Sequence, residues 1–134
     1  PTKEERKLVY QMYDGHCAYC GCKLELKDMQ VDHFSSVYAY DGESDIENYM
    51  PSCRQCNFYK GVGTIEQFRQ NLKKTMWEAL KKTFQYRMMI KYDLIQENDK
   101  DIKFYFEKHE NQVTHKTPVT LKHNGNPYIA WRVE

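Results

Sequence analysis

The sequence is organised by two short stretches, Cys17-Ala18-Tyr19-Cys20 and Cys53-Arg54-Gln55-Cys56. Each Cys-x-x-Cys places two thiolates on one tight turn, where both can reach a shared ion at the Zn–S distance of ~2.3 Å. Two such turns complete a closed tetrahedral site, so the four paired cysteines are predicted to hold one structural zinc ion. The two Cys-x-x-Cys turns are called the first and second knuckle. The 32 residues between them exceed the roughly 15–20 of a zinc ribbon, which indicates a sizeable insertion between the two knuckles.

The fifth cysteine, Cys22, is left over, because a tetrahedral site has no place for a fifth ligand. Disulfides of a secreted protein, or two separate redox motifs, are the alternatives for the paired cysteines. No secretory leader is visible, neither pair follows a βαβ pattern, and no run approaches the roughly 20 apolar residues that cross a bilayer. These features predict an intracellular protein, in a cytoplasmic, bacterial or phage-type setting.

Capping and turn signals predict the elements around the knuckles. Thr2-Lys3-Glu4-Glu5 is a capping box that opens an N-terminal helix. Alternating apolar residues and a turn at Lys27-Asp28 predict a hairpin from Cys22 to Phe34. A short helix from Cys56 to Lys60, ended by the Gly61-Val62-Gly63 stretch, follows the second knuckle.

A long amphipathic helix is predicted from Thr64, which forms a capping box with Gln67, to about Ile95. Its apolar residues recur at three- and four-residue steps: Ile65, Phe68, Leu72, Met76, Leu80 and Phe84. We expect this apolar side to pack against the core, while the basic residues on the other faces are available to follow a DNA backbone.

The C-terminal part has the pattern of β-structure. Ile102, Phe104 and Phe106 alternate with polar residues and predict a strand, with a helix between Asp99 and His109 as the alternative. Further alternation up to His123 leads through a turn at Asn124-Gly125-Asn126 into a second strand, which predicts a C-terminal hairpin.

Charge is distributed unevenly along the chain, although the net charge is only +1. Residues 60–91 contain eight cations against two acids, a net +6, whereas residues 25–47 contain one cation against seven acids, a net −6. A basic half suits phosphates, and an acidic half suits a metal ion or solvent. Two ordinary solvated faces would also give this split.

Polar residues with hydrolytic chemistry lie between and beside the knuckles: Asp32-His33, Asn48 and Asn57. Hydrolysis of a phosphodiester needs a base for the attacking water and a cation for the phosphate charge. Histidine, with an unperturbed pKa of ~6.5, suits the first task, and carboxylate and amide oxygens suit Mg²⁺. Neighbours on a strand point to opposite sides, so Asp32 and His33 can share a site only where the strand twists or the site wraps its end.

In their order and spacing these segments resemble the HNH endonucleases of the ββα-metal superfamily. The resemblance runs from about Gly15 to Gly61. It rests on Gly15-His16-Cys17-Ala18-Tyr19-Cys20-Gly21, on Val31-Asp32-His33-Phe34, and on Glu47-Asn48-Tyr49-Met50-Pro51-Ser52-Cys53-Arg54-Gln55-Cys56-Asn57-Phe58-Tyr59-Lys60-Gly61. Asn48 follows His33 by fifteen positions, and Asn57 follows Asn48 by nine.

The resemblance implies a role for each matched residue. His33 is expected to be the general base that activates water, and Asp32 and Asn57 to hold one divalent ion, Mg²⁺ or Mn²⁺. Asn48 is expected to hold the loop and orient the base. Lys60 matches a basic residue near the scissile phosphate, with a solvated helix end as the alternative. Cys17, Cys20, Cys53 and Cys56 match the zinc-bearing, four-cysteine branch of the family.

Two departures from the family pattern stand out. Phe34 and Ser35-Ser36 replace the usual aliphatic residue and the proline that often follows, which leaves the shape of this loop open. Asn57 occupies a position where many members have histidine, and its amide oxygen favours hard ions such as Mg²⁺ or Mn²⁺.

The predicted fold is α+β: a zinc-stapled ββα-metal module with an N-terminal helix over residues 1–63, then a long basic helix and a small β-rich C-terminal appendage over residues 64–134. The predicted function is that of a metal-dependent DNA endonuclease, a phosphodiester hydrolase acting on double-stranded DNA. Its DNA-docking residues are predicted to be Lys60, Arg69, Lys73, Lys74, Lys81 and Lys82. The alternative is a non-catalytic zinc-knuckle module that binds nucleic acid or protein.

Overall fold

The computed structural model describes residues 1–36 and 46–109 with their side chains, and residues 116–123 and 126–133 as backbone. Its helices and strands, in chain order, are α1 (Lys3–Gln11), β1 (Gln30–His33), a 3-10 turn (Ile46–Asn48), β2 (Tyr49–Ser52), α2 (Arg54–Lys60), α3 (Ile65–Gln70), a π-helical segment (Asn71–Met76), α4 (Trp77–Lys81), α5 (Phe84–Lys91), α6 (Tyr105–Lys108), β3 (Lys116–His123) and β4 (Asn126–Val133). The predicted α+β class is confirmed.

Helix α1 begins where its capping residues predict. The Thr2 hydroxyl accepts a hydrogen bond from the Glu5 amide at 3.1 Å, and acidic residues occupy the first turn, where they complement the helix dipole. Val9 and the following Met12 are fully buried. The helix therefore covers one side of the core that supports the cysteine turns.

The hairpin predicted from Cys22 to Phe34 is wrong in its pairing. Strand β1 pairs instead with β2, antiparallel, with Gln30 opposite Ser52 and His33 opposite Tyr49. Leu24 does face the core, but its amide donates to the Gly15 carbonyl at 2.7 Å, beside the first knuckle. The segment around Leu24 therefore supports the first knuckle, and β1 pairs with β2, which follows the acidic residues 25–47.

Helix α2 follows β2 directly and completes a ββα unit. The Cys53 side chain caps α2 by accepting from the Cys56 amide at 3.4 Å, and Gly61, with φ of 55°, ends it in a conformation that favours glycine. The predicted Thr64–Gln67 capping box is present in both directions and opens α3. These two caps fix where the ββα unit passes into the following helices.

The long helix predicted up to Ile95 is interrupted. It runs from α3 through the π-helical segment to the end of α4, and Thr83 then caps a separate α5 that ends at Lys91. Of the apolar stripe, Phe68 is buried in the core, and Ile65 and Leu72 are partly buried and pack against it. Met76, Leu80 and Phe84 are 44%, 45% and 65% exposed, so the expectation that this side packs against the core is wrong beyond Leu72.

The strand predicted over Ile102, Phe104 and Phe106 is also wrong, and the helical alternative holds only for α6. Phe104 and Phe106 are nevertheless both buried, and their rings lie nearly parallel at 6.2 Å. The segment is held to the first knuckle because the amides of Tyr105 and Phe106 donate to the carbonyls of Tyr19 and Ala18 at 2.9 and 2.8 Å. The alternation of apolar and polar residues in this segment therefore reflects the burial of Phe104 and Phe106 beside the first knuckle and not a β-strand.

A single apolar cluster joins these pieces. Phe68 of α3 stacks on Phe104 at 5.0 Å and meets the edge of Tyr19 at 5.6 Å. Val9 and Met50 belong to the same cluster. The boundary predicted at residue 63 stays a prediction, but α3 and the segment around Phe104 share the core of the ββα unit.

Strands β3 and β4 form the predicted C-terminal hairpin, with Lys116 opposite Val133 and His123 opposite Asn126. Positions 124 and 125 of its predicted turn lie outside the described residues. Among the residues that the structure describes, no helix has the length and apolar character needed to cross a membrane.

Candidate metal and hydrolytic site

The four paired cysteines converge on one point. The sulfur atoms of Cys17, Cys20, Cys53 and Cys56 all lie within 4.8 Å of one another, and those of Cys20 and Cys53 are 3.9 Å apart. Ligand sulfurs around a tetrahedral zinc ion at ~2.3 Å are separated by roughly 3.8 Å, so the spacing fits such an ion. The cluster can hold a metal ion, and Cys22 is exposed and outside it.

Backbone amides already support thiolates in this cluster. The amides of Tyr19 and Cys22 donate to the sulfurs of Cys17 and Cys20, at 3.4 and 3.5 Å. A hydrogen bond from the Cys56 thiol lowers the pKa of Cys17 to about 4, and the same interaction raises the pKa of Cys56. The lowered pKa favours the deprotonated form of Cys17, and deprotonated sulfur is the form that binds metal.

A second polar site lies at the end of β1, in a cleft of about 210 Å³. The cleft brings together three of the residues predicted to do chemistry, Asp32, His33 and Asn57. It is completed by Val31, Ser36, Gly61 and Val62. Because the cleft wraps the strand end, adjacent Asp32 and His33 both line it, although neighbours on a strand point to opposite sides.

Asp32 is 5% exposed, and its carboxylate contacts two buried side chains. Its Oδ2 atom accepts a hydrogen bond from the Tyr19 hydroxyl and lies 3.0 Å from the Lys60 ammonium. Burial raises the pKa of the Asp32 carboxyl, and the Lys60 charge and the Tyr19 hydrogen bond oppose that rise. The carboxylate is thus held in place by groups that favour its charged form.

His33 lies half-buried at the mouth of the same cleft. Its ring meets the edge of Tyr49, the residue opposite it in the β-ladder, at 5.3 Å between centroids. Burial lowers the pKa of His33, against the opposing charge of Asp32. A lowered pKa keeps the imidazole neutral near pH 7, which is the state that accepts a proton.

Asn48 is fully enclosed and bonded to the backbone of Ser35 in both directions. Its Oδ1 accepts from the Ser35 amide at 2.8 Å, and its Nδ2 donates to the Ser35 carbonyl at 2.7 Å. The Asn48 carbonyl also accepts from the Phe34 amide at 2.8 Å. Asn48 therefore holds the chain that follows His33, in a loop that has neither the aliphatic residue nor the proline common in the resembling family.

Lys60 occupies a position that neither sequence interpretation anticipated. Its side chain has 0% exposure, and its ammonium bonds to Asp32 and, at 3.0 Å, to the His33 carbonyl. An ammonium held there is turned inward and does not present itself to a phosphate on the surface. Its role near the scissile phosphate stays a prediction.

The basic residues beyond α2 fall into two groups. Arg69 is bonded to Glu66 and Glu107 and lies 4.9 Å above the Phe104 ring, so it links α3 to the 102–108 segment. Lys73 pairs with Asp101, and Lys81 lies near Glu78. Lys74 and Lys82 are exposed, and no salt bridge to them is found among the described residues. None of these DNA-docking assignments is tested by the structure.

Tyr19 is the site residue that sequence reasoning missed. It lies between two cysteine ligands, yet its hydroxyl reaches Asp32 in the cleft. The available signal was its place in the knuckle, because a large aromatic side chain inside a metal-binding turn must be buried against something. Its target could not be deduced from spacing, since it is set by the tertiary packing.

Part of the chain is similar to known proteins. A family model described as HNH endonuclease matches residues 17–62. A crystal structure of the Type II-C Cas9 enzyme from Actinomyces naeslundii is similar, with a TM-score of 0.46 and 14% identity over 69% of this chain. The match spans about a tenth of that enzyme's length (10%). The comparison with curated proteins found no match.

The family match covers both cysteine pairs and the whole lining of the cleft. It begins at Cys17 and ends at Val62, so the two metal-type sites and the ββα unit between them fall within it. Residues 17–62 therefore match the HNH endonuclease family, and this match supports a nuclease-type function.

Proposed function

We propose that the protein is a metal-dependent endonuclease that hydrolyses phosphodiester bonds in double-stranded DNA. The observation that supports this most directly is the single cleft lined by Asp32, His33 and Asn57. A base and two hard oxygen donors within one small cleft suit hydrolysis, and a module that only binds has no need of all three.

His33 acts as the general base in this proposal. Its neutral ring accepts a proton from the water that attacks phosphorus, and the bond from phosphorus to the leaving oxygen then breaks. Asn48 acts indirectly, by holding the backbone at Ser35 and so the direction of the His33 ring. The bond of Lys60 to the His33 carbonyl steadies the same residue from the other side.

Asp32 and Asn57 are the residues that would hold a divalent ion, Mg²⁺ or Mn²⁺. A carboxylate oxygen and an amide oxygen are hard donors, which fits these ions better than softer ones. When bound, such an ion neutralises charge on the phosphate and the leaving oxygen. Asp32 is already held by Tyr19 and Lys60, which oppose the rise in its pKa that burial causes.

The cysteine cluster is proposed to hold a structural zinc ion. Four sulfurs in a closed set leave no open position for substrate, and the described cysteines form no disulfide. A zinc ion held by cysteine thiolates suits a reducing compartment, so we retain the proposal of an intracellular setting. We retain the division into a nuclease module over residues 1–63 and an appendage over residues 64–134.

The proposed DNA-docking surface lies on the basic helices after α2. Of the residues predicted for it, Lys74 and Lys82 are exposed and are the most accessible to a phosphate. Cations that release condensed counterions supply most of the non-specific affinity for DNA. The remaining members of this set, Lys60, Arg69, Lys73 and Lys81, have internal or local partners that DNA would have to replace.

Plasmid relaxation in Mg²⁺, in Mn²⁺ and in EDTA tests the proposal. The zinc-loaded wild type should nick or cut DNA only with the added ion, and His33→Ala should slow cleavage by ~10²–10⁴-fold with nearly unchanged DNA affinity. His109→Ala is the matched control, because His109 stacks on Tyr105 outside the cleft. DNA binding without any cleavage by the wild type would instead favour the non-catalytic zinc-knuckle module.

A further inference from the structure

Tyr19 connects the two metal-type sites of the domain. It lies in the Cys17-Ala18-Tyr19-Cys20 turn, two residues after one ligand of the cysteine cluster and next to another. Its side chain is 2% exposed, and its hydroxyl donates a hydrogen bond to Oδ2 of Asp32. One side chain therefore extends from the cysteine cluster to the carboxylate of the hydrolytic cleft.

The backbone of Tyr19 is held on both sides. Its amide donates to the Cys17 sulfur at 3.4 Å, and its carbonyl accepts from the Tyr105 amide at 2.9 Å. The ring is enclosed by the edges of Phe68, Phe104 and Phe106, at centroid distances of 5.6, 5.8 and 6.2 Å. A ring packed in this way has no room to rotate its hydroxyl away from Asp32.

The two partners of Asp32 share one oxygen atom. Tyr19 and Lys60 both contact Oδ2, and among the described residues no side-chain bond is found to Oδ1. The carboxylate belongs to the lining of the cleft with Asn57. With one oxygen anchored from behind, the other is left to act as a donor toward the cleft.

We propose that Tyr19 is a positioning residue for the divalent ion: with Lys60 it anchors Oδ2 of Asp32, so that Oδ1 is presented as the coordinating atom. This rests on the proposed function, in which Asp32 is a ligand of that ion. Outer partners that orient a ligating carboxylate typically change metal affinity or activity by ~10–100-fold when removed. The cysteine cluster thereby fixes the geometry of the hydrolytic cleft through a single hydroxyl.

Tyr19→Phe tests the proposal, because it removes the hydroxyl and keeps the packed ring. Mn²⁺ affinity of the zinc-loaded protein, measured by electron paramagnetic resonance, should weaken by ~10–100-fold. Zinc content should stay at the wild-type value. Tyr59→Phe is the matched control: Tyr59 also packs against Phe68, but its hydroxyl donates to the Asn71 carbonyl at 3.0 Å, so Mn²⁺ affinity should not change.

A double-mutant cycle separates positioning from general damage to the fold. In the Asp32→Asn background, Tyr19→Phe should change Mn²⁺ affinity by less than about 2-fold, because the anchored carboxylate is already gone. An undiminished Mn²⁺ affinity in Tyr19→Phe would overturn the proposal, as would an equal loss in both backgrounds. If the wild type binds Mn²⁺ through Asp32 but cleaves no DNA, the proposed function fails while the positioning role stands.

Discussion

The ββα unit and the helices that follow it use their polar and apolar residues in opposite ways. In the unit, charged and amide groups such as Asp32, Lys60 and Asn48 are buried and bonded to one another or to backbone. In α4 and α5, apolar side chains such as Leu80 and Phe84 are exposed, and charged ones pair only locally. In the ββα unit, the buried polar residues hold the side chains of the cleft in place, whereas α4 and α5 expose both their charged and their apolar side chains to solvent. The stability of the protein should therefore depend on the ββα unit and hardly on α4 and α5.

The largest expected effect follows the removal of one cluster cysteine. Cys53→Ser removes a metal ligand and the cap of α2 together, and structural zinc contributes ~10 kcal/mol or more to folding in small zinc domains. We expect less than one zinc ion per chain by elemental analysis and no cooperative thermal melt. Cys22→Ser is the control, because Cys22 is exposed and outside the cluster. An unchanged melt in Cys53→Ser would contradict a structural role for the cluster.

Replacing one methionine by alanine in each region tests the comparison directly. Met50 in β2 is fully buried, whereas Met76 at the end of the π-helical segment is 44% exposed. Met50→Ala should destabilise the protein by ~2–5 kcal/mol. Met76→Ala should change stability by about 0.5 kcal/mol or less. Urea denaturation measures both, and similar midpoints for the two variants would show that the helices contribute to the same core.

A smaller effect is expected where the two regions meet, at Arg69 and Glu107. Burial alone would raise the pKa of Glu107, but hydrogen bonds from Arg69 and the Phe104 amide outweigh it, and the pKa is lowered. A lowered pKa adds stability above the ordinary glutamate pKa, and that stability is lost as pH falls through the folded-state value. Because the pair is partly exposed, Glu107→Gln should cost ~1 kcal/mol at pH 7.

Denaturation of wild type and Glu107→Gln at pH 7 and in acid gives the measurement. The difference in the free energy of unfolding between the two proteins should shrink as the pH falls through the folded-state pKa of Glu107. Glu66→Gln is the control, because Glu66 pairs with the same Arg69 from a more exposed position, with its side chain 68% exposed. A difference between wild type and Glu107→Gln that stays constant with pH would rule out the ion pair as its source.

The smallest effect on the fold, with a distinct effect on DNA binding, is expected from four lysines of the helices that follow α3. Neutralising Lys73, Lys74, Lys81 and Lys82 together should reduce the slope of log K against log salt by ~0.9 for each phosphate that is no longer neutralised. Because Lys73 and Lys81 have acidic partners, we expect the change to correspond to about two phosphates, those bound by Lys74 and Lys82. Lys23→Gln with Lys27→Gln is the control, because it removes two charges beside and within the acidic segment. An unchanged slope in the fourfold variant would identify these helices as scaffold.

Local signals predicted the parts of the fold that local interactions decide. The caps at Thr2 and Thr64 and the end of α2 at Gly61 follow from side-chain and backbone chemistry within a few residues. The cysteine cluster was predictable because paired spacing limits what two thiolates can share. The HNH segment was likewise recognised from its motifs, and the family match over residues 17–62 confirms it.

The sequence-based predictions of secondary structure were wrong where one apolar pattern is compatible with packing against different parts of the molecule. Apolar alternation predicted strands around Leu24 and Phe104, but alternation only shows which side chains are buried, and here the partner is the first knuckle. The periodic stripe from Ile65 to Phe84 predicted a buried helix face, but its residues beyond Leu72, which are Met76, Leu80 and Phe84, are exposed. The buried positions of Lys60 and Tyr19 depend on packing between distant segments, which spacing along the chain does not encode.

The paired bonds between Asn48 and Ser35 have a consequence for how the chain can vary. They join the two ends of the segment between Ser36 and Ile46, so a change of length there does not pull on the strand that contains His33. Closure entropy grows slowly, by ~0.6 kcal/mol for each doubling of a loop. An insertion between these ends should therefore shift the melting temperature little, and the segment can diverge while the cleft lined by Asp32, His33 and Asn57 is inherited intact.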